Sequence, residues 1–151
     1  MVTQREQSNQ HNNETFHAMT AAYKLINRRI SEVVSEEGLT QPQFQALRIV
    51  AKSGGTSMRE ISAQLLVTPA NVTGIIDRLE SRGLMTRGAH RKDRRTTIIE
   101  LTPAGNALQQ RVATKYSEFM RKALQVLSRD EQAALRDLLT KLQEGMSRPD
   151  N

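Results

Sequence analysis

Apolar side chains recur along most of this chain at helical spacing, and the breaks in that rhythm divide it into parts. Phe16, Met19, Tyr23, Ile26, Ile30 and Val33 step by three and four residues, the seam of a helix that packs along its length, read first as ordinary core and second as a seam between subunits, and Gly38 is placed to end it. The polar, amide-rich residues 1–13 before it are expected to be disordered. Thr40-Gln41-Pro42-Gln43 combines an N-cap, a first-turn proline and Gln at N3, and it opens a helix lined by Phe44, Leu47 and Ala51 that Gly54-Gly55 stops. Ser57-Met58-Arg59-Glu60 is a capping box, predicting a short helix buried through Ile61 and Leu65.

At Val67-Thr68-Pro69 the pattern breaks and restarts. The residue before proline avoids helical dihedrals, whereas proline suits N1 and Thr68 suits the N-cap. Val72, Ile75, Ile76 and Leu79 give the new helix its apolar face and Gly83 closes it. Leu84 to Ala89 and Thr96 to Leu101 then form two short β-prone runs around a charged loop, which predicts a hairpin. Thr102-Pro103 starts a long helix carrying Leu108, Val112, Tyr116, Phe119, Ala123 and Val126. Ser128-Arg129-Asp130-Glu131 is a further capping box, before a last helix with Leu135, Leu138, Leu142 and Met146. The fold class expected is mainly α with a small β-hairpin, and 151 residues suit one domain.

Charge sharpens this picture. The net charge is +6, and residues 84–102 hold five Lys/Arg against two acids while residues 1–37 hold four against five. The excess therefore peaks at the hairpin, whose tip is His90-Arg91-Lys92-Asp93-Arg94-Arg95. Like charges so crowded repel one another, so a polyanion is their natural complement, and counterion release makes such binding fall with salt. The absence of cysteine excludes disulfides and thiolate metal sites within the chain, and His11, His17 and His90 lie in separate contexts that form no ligand cluster. No apolar run approaches the roughly 18–20 residues that span a membrane. The start lacks an apolar signal core, so a soluble, cytoplasmic protein without membrane partners is expected. No Gly-rich phosphate loop or paired acid motif points to an enzyme, and no cofactor is implied.

The helix at 69–82 spends one face on its apolar residues. Thr68, Pro69, Ala70, Asn71 and Thr73 are left as a slim leading end that can enter a major groove and reach phosphates or base edges. Thr68 can cap the helix, contact DNA, or do both. Arg78 is a candidate for a base or phosphate contact and Arg82 for a phosphate contact, each equally readable as pairing with Asp77 or Glu80; Arg59 is a candidate for the DNA backbone, also readable as a solvated or ion-paired surface residue.

Three stretches resemble the MarR (multiple antibiotic resistance regulator) family of prokaryotic transcription factors. They are Val67-Thr68-Pro69-Ala70-Asn71-Val72-Thr73, Ile76-Asp77-Arg78-Leu79-Glu80-Ser81-Arg82-Gly83-Leu84, and Asp93-Arg94-Arg95 followed by Ile99-Glu100-Leu101-Thr102-Pro103-Ala104-Gly105. The resemblance implies a single domain with a winged helix-turn-helix over 40–102 and dimerisation helices over 14–37 and 103–146. It further implies a homodimer on double-stranded DNA, at a pseudo-palindromic operator whose half-sites lie about 34 Å apart. It makes Thr68, Pro69, Ala70, Asn71 and Thr73 the recognition-helix contacts. In the wing, with Arg91 and Lys92 beside them, it makes Arg95 the minor-groove arginine, Asp93 its orienting partner and Arg94 a further contact. It also implies a repressor of its own or neighbouring genes, and a small aromatic or anionic effector between the DNA-binding and dimerisation parts. His17, Tyr23, Arg48 and Tyr116 are candidate linings there, each also readable as a packing or surface residue. The alternative is a winged-helix architectural or protein-docking module with little sequence preference.

Overall fold

The computed structural model describes residues 4–89 and 97–147. Its elements in chain order are α1 (Gln4–Ser35), α2 (Gln41–Ser53), β1 (Thr56–Ser57), α3 (Met58–Leu65), α4 (Pro69–Ser81), β2 (Met85–Ala89), β3 (Thr97–Leu101), α5 (Pro103–Leu124) and α6 (Arg129–Ser147). The chain is mainly helical with a small antiparallel sheet, and it divides into two compact units, Met1–Ala113 and Thr114–Asn151, with α5 contributing to both.

The first unit holds the core. Phe44, Ala46, Leu47 and Val50 of α2 are buried together with Ile61 of α3 and Val72, Ile76 and Leu79 of α4. Leu84, Met85 and Ile99 close it from the sheet, Leu108 and Val112 from α5, and Val34 and Leu39 from the end of α1. The capping pattern at Thr40 forms as expected: its N–H donates to Gln43 Oε1 at 2.9 Å, and the Gln43 N–H donates back to Thr40 Oγ1 at 3.4 Å. Gly54 ends α2 at φ +68, a left-handed conformation that glycine adopts without a Cβ clash.

The hairpin strands pair in register, Met85 with Leu101 and Arg87 with Ile99. A third strand, β1, was not expected. It pairs Thr56 with Ile99 and Ser57 with Ile98, giving the order β1-β3-β2. Two residues are too few to show any alternation in sequence, and Ser57 serves at once as strand end and N-cap of α3.

The start of α5 is clamped to the chain between α4 and β2. Thr102 N–H donates to Leu84 O at 3.1 Å and its hydroxyl donates to Gly83 O at 2.6 Å, while the Gly105 N–H donates to Thr102 Oγ1 at 3.0 Å. A Cβ on Gly105 would lie 1.9 Å from the Leu84 carbonyl oxygen, so this approach requires glycine.

Two expectations for α1 change. Residues 4–13, expected to be disordered, belong to the helix. They contain no Gly or Pro to break it, and Gln10 Nε2 donates to Glu14 Oε1 one turn on, at 3.1 Å. The Phe16-to-Ile26 stripe is not core within this chain: Phe16 is 59% and Tyr23 64% exposed, and burial begins at Val34.

In the second unit α5 runs to Leu124, so Val126, expected on the long helix, lies beyond its end and is 81% exposed. Gln132 Nε2 donates to the carbonyls of Leu124 and Leu127 at 2.9 and 3.0 Å, and Ser128 and Glu131 form the expected capping box. The apolar stripe of α6 includes Leu135, Leu138, Leu142 and Met146, and no residue of that helix is buried.

Candidate nucleic-acid interface

The helix-turn-helix is α3, the turn at 66–68 and α4. Ser62 holds the turn. Its carbonyl accepts the N–H groups of Leu66 and of Val67 (3.3 Å), and its hydroxyl donates to Val67 O at 2.7 Å. The geometry puts Leu66 at φ +55. A left-handed conformation costs a residue with a Cβ about 1–2 kcal/mol, and Leu66 recovers nothing by burial, being 90% exposed.

Thr68 is the N-cap of α4, accepting from the Asn71 N–H at 3.4 Å, and Pro69 takes the first turn. Val72, Ile76 and Leu79 turn inward, whereas Thr68, Pro69, Ala70, Asn71, Thr73 and Arg78 are all exposed. The structure thus brings the sequence-selected leading end together on one projecting helix start. The Thr73 hydroxyl donates to Pro69 O at 3.1 Å, leaving its oxygen lone pairs and methyl group to face outward chemistry.

Arg87 departs from the expectation of a uniformly DNA-directed basic hairpin. It sits on β2 and ion-pairs with Asp77 and Glu80 of α4, the latter at 2.9 Å. The hydrogen bond to the Asp77 carboxylate, foremost, outweighs the opposing cost of burial and, with the charges of Glu80 and Asp77, holds its guanidinium more firmly protonated than usual. Arg78 and Arg82 were open to pairing with these acids, but Arg87 takes them. Arg82 instead donates to Gly38 O at 2.8 Å, bracing the segment after α1. Among the described residues no ion pair engages Arg78 or Arg59, and both are exposed. The spacing of Asp77 and Glu80, one turn apart, could have signalled a shared cation; its origin on another element could not be read locally. Arg91, Lys92, Asp93, Arg94 and Arg95 lie outside the described residues.

Glu60 joins the sheet to α3. It accepts from the Thr56 hydroxyl and from the N–H and hydroxyl of Ser57, both at 3.1 Å, and these donors, Thr56 first, hold its carboxyl below the usual glutamate range.

Within the first unit, the cavity that Arg48 lines includes neither His17 nor Tyr23. Arg48 lines an open cavity of about 740 Å³ with Gln45, Ile49, Lys52, Gln64 and Gln109. His17 and Tyr23 are exposed on α1, and Tyr116 belongs to the second unit. Sequence reasoning missed Lys52, although its i,i+4 spacing from Arg48 places both cations on one side of α2. Among the described residues no group of three His, Asp or Glu could hold a metal ion, and no helix is long and apolar enough to cross a membrane.

The MarR family pattern matches residues 39–97, which span α2 to the start of β3. The chain is 30% identical to the uncharacterized HTH-type transcriptional regulator YsmB of Bacillus subtilis, over 82% of this chain and 85% of that one. Its fold matches a putative MarR-like transcription regulator from Bacillus cereus with a TM-score of 0.78 at 25% identity, covering 91% of this chain and 99% of the other. It also matches Bordetella bronchiseptica BpsR, whose DNA binding is regulated by 6-hydroxynicotinic acid, with a TM-score of 0.73 at 25% identity, covering 86% and 98%. These relatives are transcription regulators, not enzymes. With its helix-turn-helix, its paired wing strands and these likenesses, the chain belongs to the MarR family of DNA-binding transcription regulators.

Proposed function

We propose that this regulator acts as a homodimeric repressor that reads a pseudo-palindromic operator and that a small aromatic or anionic ligand releases. The observation that carries the reading is the exposed start of α4. Thr68, Pro69, Ala70, Asn71 and Thr73 project free of the core, and Arg87 ties the wing strand β2 to the same helix. In this reading Asn71 and Thr73 face base edges, Thr68 and the helix N-terminus take a phosphate, and Arg78 and Arg59 add backbone contacts. Arg91, Lys92, Arg94 and Arg95 reach the phosphates and minor groove beside it, with Asp93 directing Arg95. Arg82, held on Gly38, belongs to the frame rather than to the reading edge.

Dimerisation rests on the uncovered stripes of α1 and α6, since apolar patches of this kind are seldom left to water. The regions 14–37 and 103–146 are then the dimerisation helices of a single functional domain. The cavity beside Arg48 and Lys52 offers two cations and three amide side chains to an anionic ring, and the ligand-regulated DNA binding of BpsR supports the same logic here.

Mobility shifts against excess random duplex test the reading, using the duplex that the wild-type protein enriches from a randomised pool. Asn71→Ala should lower affinity for that duplex by about tenfold or more and alter the preferred sequence. Arg95→Ala should weaken binding to every duplex and reduce the salt slope by about one. Equal affinity of the wild type for enriched and random DNA would overturn sequence-specific regulation.

A further inference from the structure

The turn explains the backbone conformation at position 66 but not the leucine found there. Leu66 is 90% exposed, it is the one described non-glycine residue with a positive φ, and it stands two positions before the N-cap of α4. Neither packing nor chain geometry requires leucine there. Ser62 fixes the turn through backbone and hydroxyl bonds that any residue but proline at 66 would leave intact, and glycine would suit the dihedral better. An exposed leucine is ordinary by itself, but one held at a positive φ that glycine meets without cost is not, and unfavourable backbone geometry of this kind concentrates at binding sites. The neighbouring surface is polar: Thr68, Asn71 and Thr73 can serve hydrogen-bonding edges, but among the described residues no other large apolar side chain is exposed between Ile26 and Val126.

We propose that Leu66 is a specificity-determining residue of the DNA interface, its isobutyl group packing on the 5-methyl of a thymine at the edge of the major groove entered by α4. The inference rests on the placement of α4 in that groove given above. Thymine is the base that presents an apolar group in the major groove, so a leucine at this edge discriminates where the hydroxyl and amide groups beside it hydrogen-bond. The contact carries no charge, which distinguishes it from every arginine contact in the interface.

The test uses the full-length chain and the duplex that the wild type enriches from a randomised pool. Leu66→Gly should fold with an unchanged or higher Tm and lose about tenfold in affinity for that duplex, with little loss on random duplex and an unaltered salt slope. Substituting uracil for the thymines of each half-site in turn should cost the wild type a similar factor at one position and cost Leu66→Gly almost nothing further there. Leu66→Met, which keeps an apolar side chain, should recover part of the affinity. Wild-type affinity in Leu66→Gly, with Asn71→Ala impaired, would overturn the role of Leu66 and leave the placement of α4 standing. Wild-type affinity in both variants would overturn that placement and the inference with it. A loss that is the same on every duplex, or insensitive to uracil, would assign Leu66 to the sugar-phosphate backbone and overturn the thymine contact.

Discussion

The winged core and the end helices use the same residue types to opposite effect. Phe44, Leu47, Ile76 and Leu79 vanish from solvent within the first unit, whereas Phe16 and Tyr23 on α1 and Leu138 and Met146 on α6 remain largely exposed. Periodicity alone does not separate the two, because both stripes follow the helical three-and-four spacing. The difference lies in what faces them. Around α2, short helices and the sheet converge from several directions and close a core, while the stripes of α1 and α6 hold their apolar faces uncovered within one chain. A closed core should fix the tertiary structure of the DNA-reading part, and the open stripes should fix how many chains act together.

Paired truncations would break this contrast most visibly. Phe44→Ala should cost about 3–5 kcal/mol in urea unfolding, the range for removing a fully buried aromatic. Phe16→Ala removes the same atoms from an exposed site, so it should shift the concentration dependence of assembly in sedimentation while leaving core packing intact. Equal unfolding penalties at constant oligomeric state would erase the distinction. Gly105→Ala comes next: its new methyl meets backbone rather than a flexible side chain, so about 1–3 kcal/mol of strain is expected, with loosening of the contact between α5 and Leu84. A Tm matching the wild type would show that this contact yields freely.

How much could be read from sequence follows the same division. The helix starts at Thr40, Ser57, Thr68 and Ser128 were legible because a cap is a local chemical pattern. The hairpin and the outward face of α4 followed from alternation and helical phase. The β1 strand escaped because its two residues gain their identity from Ile98 and Ile99, some forty positions away. Helix over residues 4–13 escaped because its amide-rich composition resembles that of disordered tails. Arg87 was grouped with the basic hairpin because charge counting along a chain is blind to a cross-element partner. The effector linings were the least legible: aromatic and cationic residues were selected by type, and cavities are set by which elements meet.

Arg87 also marks where stability and function part. Its pairs with Asp77 and Glu80 are half-exposed, so Arg87→Ala should cost no more than about 1 kcal/mol in unfolding. The variant unties β2 from α4 and leaves two carboxylates of α4 without their cation, so under the proposed reading of α4 affinity should fall more than stability does. Wild-type affinity in gel shifts at constant salt would show that the wing needs no such tie.

The smallest effect expected is one of pH, and it compares the two units through the same motif. Glu60 and Glu131 each close a capping box and each titrates below the usual glutamate value of 4.5, but Glu60 also accepts from the buried Thr56 hydroxyl, whereas Glu131 is held by Ser128 alone. A carboxyl whose folded value is lowered stabilises the fold fully above its unfolded value and loses that contribution as the pH falls through the folded one. Both contributions are therefore complete at neutral pH and fade below about 4.5. Glu60→Gln should lower the Tm at neutral pH and converge on the wild type once the pH has fallen through the folded value, because acid removes from the wild type what the substitution has already removed. Glu131→Gln should show the same convergence with smaller amplitude, since its bonds close one helix end and join no strand to it. Larger amplitude at Glu131 would mean that α6 is more tightly integrated than its exposed face allows.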